Sequence, residues 1–251
     1  MKRTWIYGLL LLSALSLRAA PILGTASTFS VLGASWVTNT GPTALSGDLG
    51  VSPGASITGF PPGVFTGTIY PGTAVATEAE ADALTAYNLL RSSIYAVTQD
   101  LTGQDLGGLT LTPGVYTFNS SAQLTGLLTL DLVGDPNSLF IFRIGSTLTT
   151  ASSSSVATIH GTRGDNVYWL VGSSATLGTD SGFQGNIVAD QSITLTTGAN
   201  IANGSALALN GAVTLDTNNV SDSVPEPATL GLLGAGLIGL RLLRRAPKRA
   251  T

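Results

Sequence analysis

The dipeptide Thr-Leu recurs at Thr110-Leu111, Thr129-Leu130, Thr147-Leu148, Thr176-Leu177, Thr194-Leu195 and Thr214-Leu215, with start-to-start spacings of 19, 18, 29, 18 and 20 residues. Side chains alternate across a strand. If each repeat is one rung of a coil, every Leu enters a common core and every Thr faces outward. Stacked about 4.8 Å apart, those threonines form a flat, uncharged array of hydroxyls and methyls. The chemistry of such a surface is adsorption of an extended ligand through many weak contacts in register.

Catalysis needs convergent titratable groups, and the sequence offers few. His160 is the single histidine, and Ile159-His160-Gly161 gives it no obvious partner. No Gly-x-Ser-x-Gly elbow, Walker loop or His-Glu-x-x-His run occurs. Cysteine is absent, which removes disulfides and thiolate metal sites. Asp131, Asp135, Asp165 and Asp190 read as turn residues, since nothing around them resembles a calcium loop. The expectation is a protein that is no enzyme and holds no cofactor and no metal.

The elements that must carry the threonines follow from pattern. Residues 78–98 are expected to form one long helix. Thr77 and Glu80 have capping-box spacing, and Ala83, Tyr87, Leu90, Ile94 and Val97 make an apolar stripe. At 1.5 Å per residue this helix would be about 31 Å long, the height of six or seven coils, so it is placed along the side of the stack. Residues 22–76, rich in Gly, Pro and Thr, read as short strands or irregular coils. The apolar runs at 139–144, 166–171 and 185–189 supply a second wall, and the spacing of 29 is assigned to an extra loop or strand within 151–161. The fold class is therefore all-β dominated, a β-solenoid (β-helix) with one long α-helix packed along its side.

Charge separates the chain into three parts. Residues 21–223 keep only Arg91, Arg143 and Arg163 against 13 acidic residues, a formal charge of −10. A domain this acidic carries no electrostatic footprint for nucleic acid. Residues 1–20 have the order of a secretory signal peptide, with Lys2 and Arg3, an apolar run and the small pair Ala19-Ala20, which implies the Sec machinery as an export partner. At the other end, Val224-Pro225-Glu226-Pro227 precedes an apolar stretch and Arg241, Arg244, Arg245, Lys248 and Arg249. Residues 224–251 resemble the PEP-CTERM sorting signal, with Pro225, Glu226 and Pro227 as its motif. The resemblance implies recognition by an exosortase-type peptidase and delivery to the cell surface or exterior. Residues 228–243 are short for a span, and the basic tail should stay cytoplasmic, so they are expected to anchor the chain only transiently in the inner membrane.

The mature part, 21–223, carries a second resemblance. Ile22-Leu23-Gly24-Thr25-Ala26, residues 37–43, Gly47-Asp48-Leu49-Gly50-Val51-Ser52-Pro53-Gly54, residues 111–116 and residues 211–216 are similar to segments of the microbial ice-binding protein family. That resemblance implies a discontinuous right-handed β-solenoid with one long helix alongside, and ice as the ligand. Active members carry a Thr-Ala/Gly-x-Thr/Asn motif on one flat face. Thr40-Gly41-Pro42-Thr43 and Thr197-Gly198-Ala199-Asn200 fit it, and Thr150-Ala151-Ser152-Ser153 fits with Ser last. Thr179 and Thr217 hold the same place after Thr-Leu-x but depart from the motif, and Asp180 sets a charge beside one of them. The candidate face is thus Thr40, Thr43, Thr150, Ser153, Thr179, Thr197, Asn200 and Thr217. A second reading makes the first-position threonines turn residues that satisfy corner backbone groups. Function is open between two classes: an ice-binding, antifreeze surface, or a cell-surface adhesin or matrix component that binds extracellular polysaccharide. The second needs exposed aromatics, for which Trp36, Tyr116 and Trp169 are the residues to locate.

Overall fold

The computed structural model describes residues 22–92, 95–135, 137–161 and 166–221. Residues 1–20, expected to be a signal peptide, and residues 224–251, expected to be a sorting segment, lie outside the described residues. Each coil gives one strand to sheet A, one to sheet B and one to sheet C, and the parallel strands pair coil on coil into sheets of nine, seven and eight strands. Stack order is not chain order. Phe29–Gly33 pairs with Asp48–Val51 on one side and with Ala206–Ala208, from the last described coil, on the other. The first two coils therefore sit on top of the last one, and the helix carries the chain back to Gln99–Asp100 at the far edge of sheet A.

Coil length explains the irregular repeat. Gly114 pairs with Phe140 and Phe140 with Val167, coils of 26 and 27 residues, whereas Tyr168 pairs with Asn186 and Ile187 with Ala206, coils of 18 and 19. The extra residues of the long coils fall between Asp131 and Phe140 and between Ile159 and Val167. This corrects the expected insertion within 151–161, because Ser155–Ile159 is the ordinary sheet C strand of its coil. The Thr-Leu pairs also change sheet: Thr110 and Thr129 pair in sheet C, and the later ones lie in sheet B. Thr147 is offset by two residues, since it is Thr149 that pairs with Thr176.

Burial follows the alternation. Leu111, Leu130, Leu148, Leu177, Leu195 and Leu215 are all buried. Between the sheets, rings from successive coils stack, Tyr116 on Phe142 at 5.4 Å and Phe142 on Trp169 at 3.8 Å between centroids, and Phe183, on the sheet C strand of the same coil as Trp169, meets it at 4.7 Å. In-register pairing places Tyr116, Phe142 and Trp169 directly above one another. The indole N–H of Trp169 donates to the Gln184 carbonyl at 2.9 Å, which satisfies its one polar atom.

The helix spans Ala74–Arg91, four residues earlier at its start and seven earlier at its end than the stripe implies. Thr73 is the N-cap, with its hydroxyl accepting from the Ala76 N–H at 3.3 Å. Thr77 instead donates to the Thr73 carbonyl, so the Thr77/Glu80 capping box does not form. Ala76, Ala79, Ala83 and Ala86 are fully or almost fully buried and let the helix lie close on Leu32, Leu207, Val188, Leu170 and Ile141 of sheet A. Tyr87 and Leu90 join that contact, Val97 is exposed, and Ile94 lies outside the described residues.

What ends the helix is a side chain from the sheet. Arg143 donates from Nε to the Leu90 carbonyl at 2.9 Å, and from Nη2 to Ser92 at 2.7 Å and Tyr95 at 3.1 Å. It thereby pairs carbonyls that the last turn leaves open and places a cation at the negative end of the dipole. Arg143→Met keeps the apolar stem and removes these bonds. It is expected to cost about 1.5–3 kcal/mol in urea denaturation, with faster amide exchange confined to the helix end.

Candidate ligand-binding face

Three outer faces result, and they differ in kind. That of sheet A is covered by the helix. That of sheet C is uneven, with a shallow groove of ≈ 530 Å³ lined by Ser155, Gly182, Gln184, Asn200, Ala202 and Ser221 among others. Sheet B is bare and regular. Register carries its central outward column through Gln123, Thr149, Thr176, Thr194, Thr214, Thr38 and Thr58, one residue per coil. A first column, two residues earlier on each strand, runs through Ser121, Thr147, Ser174, Ser192, Ala212, Trp36 and Ser56.

The two columns differ in what their hydroxyls do. Thr147 donates to Ser121, while Ser174 and Ser192 accept from the Ser192 and Ala212 N–H groups. The six threonines of the central column are exposed or half-buried, and their hydroxyls bond to nothing within the described residues. Threonine is β-branched and stiff at χ1, so the array is ordered before any ligand arrives. Hydroxyls about 4.8 Å apart are within reach of one bridging water that makes bonds of about 2.7–2.8 Å to both, at an angle of about 120°. The face can thus hold a row of waters in a tetrahedral-like arrangement. Both columns are free of charge; the nearest acids along the strands are Asp190, two residues before Ser192, and Asp216, two residues beyond Thr214.

The residues singled out by the motif lie beside this face, at the corner that joins sheet B to sheet C. The three motif matches begin at three different levels. Thr150 pairs with Leu124 and fills an inward position, as Leu195 and Leu215 do; Thr40 is the first residue after that position and Thr197 the second. Thr43 and Thr150 are buried, and this corrects their assignment to a surface. The Thr150 hydroxyl accepts from the Gly178 N–H at 2.9 Å. Thr43 donates to Asn39 at 2.6 Å and accepts from the Asn218 N–H at 3.1 Å, and Asn218 in turn donates to the Thr196 and Ala199 carbonyls.

The remaining candidates are outside but engaged in the turn. Ser153, Asp180, Gly198 and Thr217 each precede the inward corner residue and all have positive φ, between 55° and 73°. The corner therefore demands a left-handed residue there, which Gly, Asp or a strained Ser or Thr supplies. The Thr197 and Thr217 hydroxyls both donate to Asp216 and hold its carboxyl below the usual range. Thr40 is directed at the Leu215 carbonyl at 3.5 Å, and Thr179 lies 3.5 Å from the Thr196 hydroxyl. Asn200 accepts from the Asn219 N–H and donates to the Gly198 carbonyl. The corner residues spend their polar atoms on one another, whereas the central column of sheet B does not. A Ser/Thr-x-Thr pattern is present in four coils of that column, at 56–58, 147–149, 174–176 and 192–194, but it also occurs at 66–68, 110–112 and 194–196 and so does not single the column out.

Other polar groups resolve into structure. His160 is paired with Asp131, Nδ1 to Oδ1 at 2.9 Å, which corrects its partnerless reading. The Val133 N–H and then His160 hold the Asp131 carboxyl below its ordinary value. Asp131 and Asp135 each accept the N–H two residues on, as turn residues do. No cluster of His, Cys, Asp or Glu suited to a metal occurs among the described residues. Tyr116 and Trp169 are core residues, while Trp36 is 50% exposed on the sheet B face.

A parallel β-solenoid with one covered side and one ordered hydroxyl side is the class these observations define. The chain belongs to the Ice-binding-like family, which matches residues 31–221, and residues 223–246 match the PEP-CTERM protein-sorting motif, a signal for export to the cell surface or exterior. It is 60% identical over 230 residues to an ice-binding protein of Nostoc sp. (strain HG1), covering 87% of this chain and 84% of that one. Among solved structures it is similar to an ice-binding protein from the Antarctic ascomycete Antarctomyces psychrotrophicus. There the identity is 44% and the TM-score 0.75, over 81% of this chain and 98% of that one. An ice-binding protein from an Antarctic biological consortium gives 44% and 0.77, over 81% and 91%.

Proposed function

We propose that the mature domain, residues 21–223, is an extracellular ice-binding protein that adsorbs to ice through the outer face of sheet B and performs no turnover. The observation that carries this reading is the central threonine column, whose hydroxyls are unpartnered, uncharged and held in register through Thr149, Thr176, Thr194 and Thr214. Ordered water on such a column joins a crystal surface without the desolvation that a charged face would impose. Many simultaneous weak contacts on a rigid scaffold then hold the protein to the growing plane. Because melting of the protein plays no part, activity is expected as inhibition of ice growth and of recrystallisation. Purified 21–223 should show thermal hysteresis and should be enriched in ice during slow freezing. Exclusion from the ice at the level of an inert protein would overturn the reading.

The alternative, an adhesin or matrix component, rests on exposed aromatics beside carboxylates. Two of the three aromatic residues it needs are enclosed in the core, which favours ice.

Delivery is read from the chain ends. The Sec machinery exports the chain through residues 1–20, residues 228–243 hold it transiently in the inner membrane, and an exosortase-type peptidase acts at Pro225-Glu226-Pro227. The match of 223–246 to the sorting motif supports this. Glu226→Gln is expected to leave export across the inner membrane intact and to leave the full-length tail on the protein in the membrane fraction. Unchanged release with an unchanged mature mass would contradict it.

A further inference from the structure

Trp36 stands where the pattern of the sheet B face calls for a small hydroxyl residue. Its first-column neighbours down the stack are Ala212, Ser192, Ser174, Thr147 and Ser121, and its neighbour on the other side is Ser56, paired with it in register. Half of its surface is exposed, yet Ala212, directly across from it, is only 6% exposed although it points outward from the same face. A methyl on an open sheet face is hidden only if a larger group lies over it. Ala212 is also where the column, hydroxylated in the four coils below, loses its hydroxyl.

We infer that the Trp36 indole lies across Ala212 and forms a step that closes the ice-contact plane at its upper end. Carbon–carbon contact is about 3.5–4.0 Å, so a ring resting on a methyl stands that far above it. A threonine hydroxyl lies one bond beyond its own Cβ, so the step rises about 2 Å above the array. Water follows such a step, but a rigid planar ligand does not. The five strands from Ala122–Leu124 to Val213–Leu215 form the working plane. Thr38 and Thr58 continue the column geometrically but lie on the far side of the indole. Trp36 thus sets the size of the face rather than supplying a contact.

This inference rests on the sheet B reading above, and the test separates the two. Thermal hysteresis is measured at equal concentration for residues 21–223 as wild type, Trp36→Ser, Thr38→Tyr, Trp36→Ser/Thr38→Tyr and Thr194→Tyr, with circular dichroism to check folding. Trp36→Ser restores the column residue and adds two strands to five, so a rise of about 1.4-fold is expected if activity follows contact area. Thr38→Tyr is expected to cost a smaller fraction of the activity in the wild type than in the Trp36→Ser background, where it also removes the gain. An unchanged or lower value for Trp36→Ser, or an equal fractional loss from Thr38→Tyr in both backgrounds, would overturn the step while leaving sheet B as the face. Activity retained in Thr194→Tyr, or absent from wild type, would overturn both.

Discussion

Trp169→Ala is expected to lower the stability of the domain by about 3–5 kcal/mol, the range for removing a fully buried large aromatic side chain. Trp169 has no exposed surface, stacks on Phe142 of the neighbouring coil at 3.8 Å and touches Phe183 of its own coil across the core. Its removal opens a cavity within a column of rings that are fixed by the strand register, and parallel pairing on both sides leaves the sheet little freedom to collapse into it. The Gln184 carbonyl also loses its indole donor. For a domain of this size the loss corresponds to about 2–4 °C in Tm per kcal/mol. Trp169→Phe keeps a ring in the stack and loses mainly the N–H and volume, so it should cost about half as much or less. Equilibrium denaturation of the two variants checks the order; equal costs would show that the stack is not what the indole contributes.

The second large effect is a pH dependence that one residue sets. Glu80 sits on the helix with one carboxyl oxygen buried and unpartnered, and burial pushes its pKa from an ordinary 4.5 up to about 8. Below pH 4.5 the group is protonated in both folded and unfolded chains and contributes no slope. Between 4.5 and 8 the folded protein keeps a proton that the unfolded chain has released, so stability falls as pH rises through that window and levels off above it. Glu80→Gln removes the ionisable group and should abolish the fall. The variant is expected to match the wild type near pH 4 and to exceed it at pH 8–9 by about 2–5 kcal/mol. Denaturant midpoints across pH 4–9 measure this. Asp82 acts in the opposite sense at the acid end, because the Thr25 N–H and hydroxyl hold its carboxyl below the usual range. Its contribution is present above its ordinary pKa and is lost as pH falls through the folded value.

Glu80 also shows where reading from sequence gives way. Its spacing from Thr77 matches a capping box, but Gly72, with a φ of 63°, turns the chain so that Thr73 caps instead. Glu80 then falls one turn inside the helix, on a half-covered side. The far end shortens for a tertiary reason: Arg143, 52 residues beyond the last helical residue, takes the carbonyls that would have continued the ladder. Only the second effect is long-range; the first lies in the two residues before the helix. The six Thr-Leu leucines, by contrast, are buried as alternation requires, because the period-2 pattern depends only on which side of a strand faces the core.

The face itself was half legible. Thr176, Thr194 and Thr214 are outward residues of the Thr-Leu repeat and stand in the central column of sheet B. The motif drew attention instead to the corner, since Thr-Gly-x-Thr and Thr-Ala-x-Ser are also what a left-handed corner turn favours. Thr150 and Thr43 point inward there, and no single-sequence pattern tells an inward corner Thr from an outward one when the match begins at a different level in each coil. Coils of 18 and 27 residues within one stack blur the period further.

That distinction between face and corner is open to one direct measurement. Thr194 and Asn200 lie on the same coil, six residues apart, one in the centre of the sheet B array and the other beyond the corner on sheet C. A tyrosine at position 194 is a surface change expected to shift stability by about 0.5 kcal/mol or less, yet it lifts the whole array off a planar ligand; at position 200 it gives up the bonds to the Asn219 N–H and the Gly198 carbonyl, so folding of that variant is checked by circular dichroism. Ice-growth inhibition by residues 21–223 is expected to vanish in Thr194→Tyr and to persist in Asn200→Tyr. Loss of activity in Asn200→Tyr with activity retained in Thr194→Tyr would contradict the assignment of the face to sheet B.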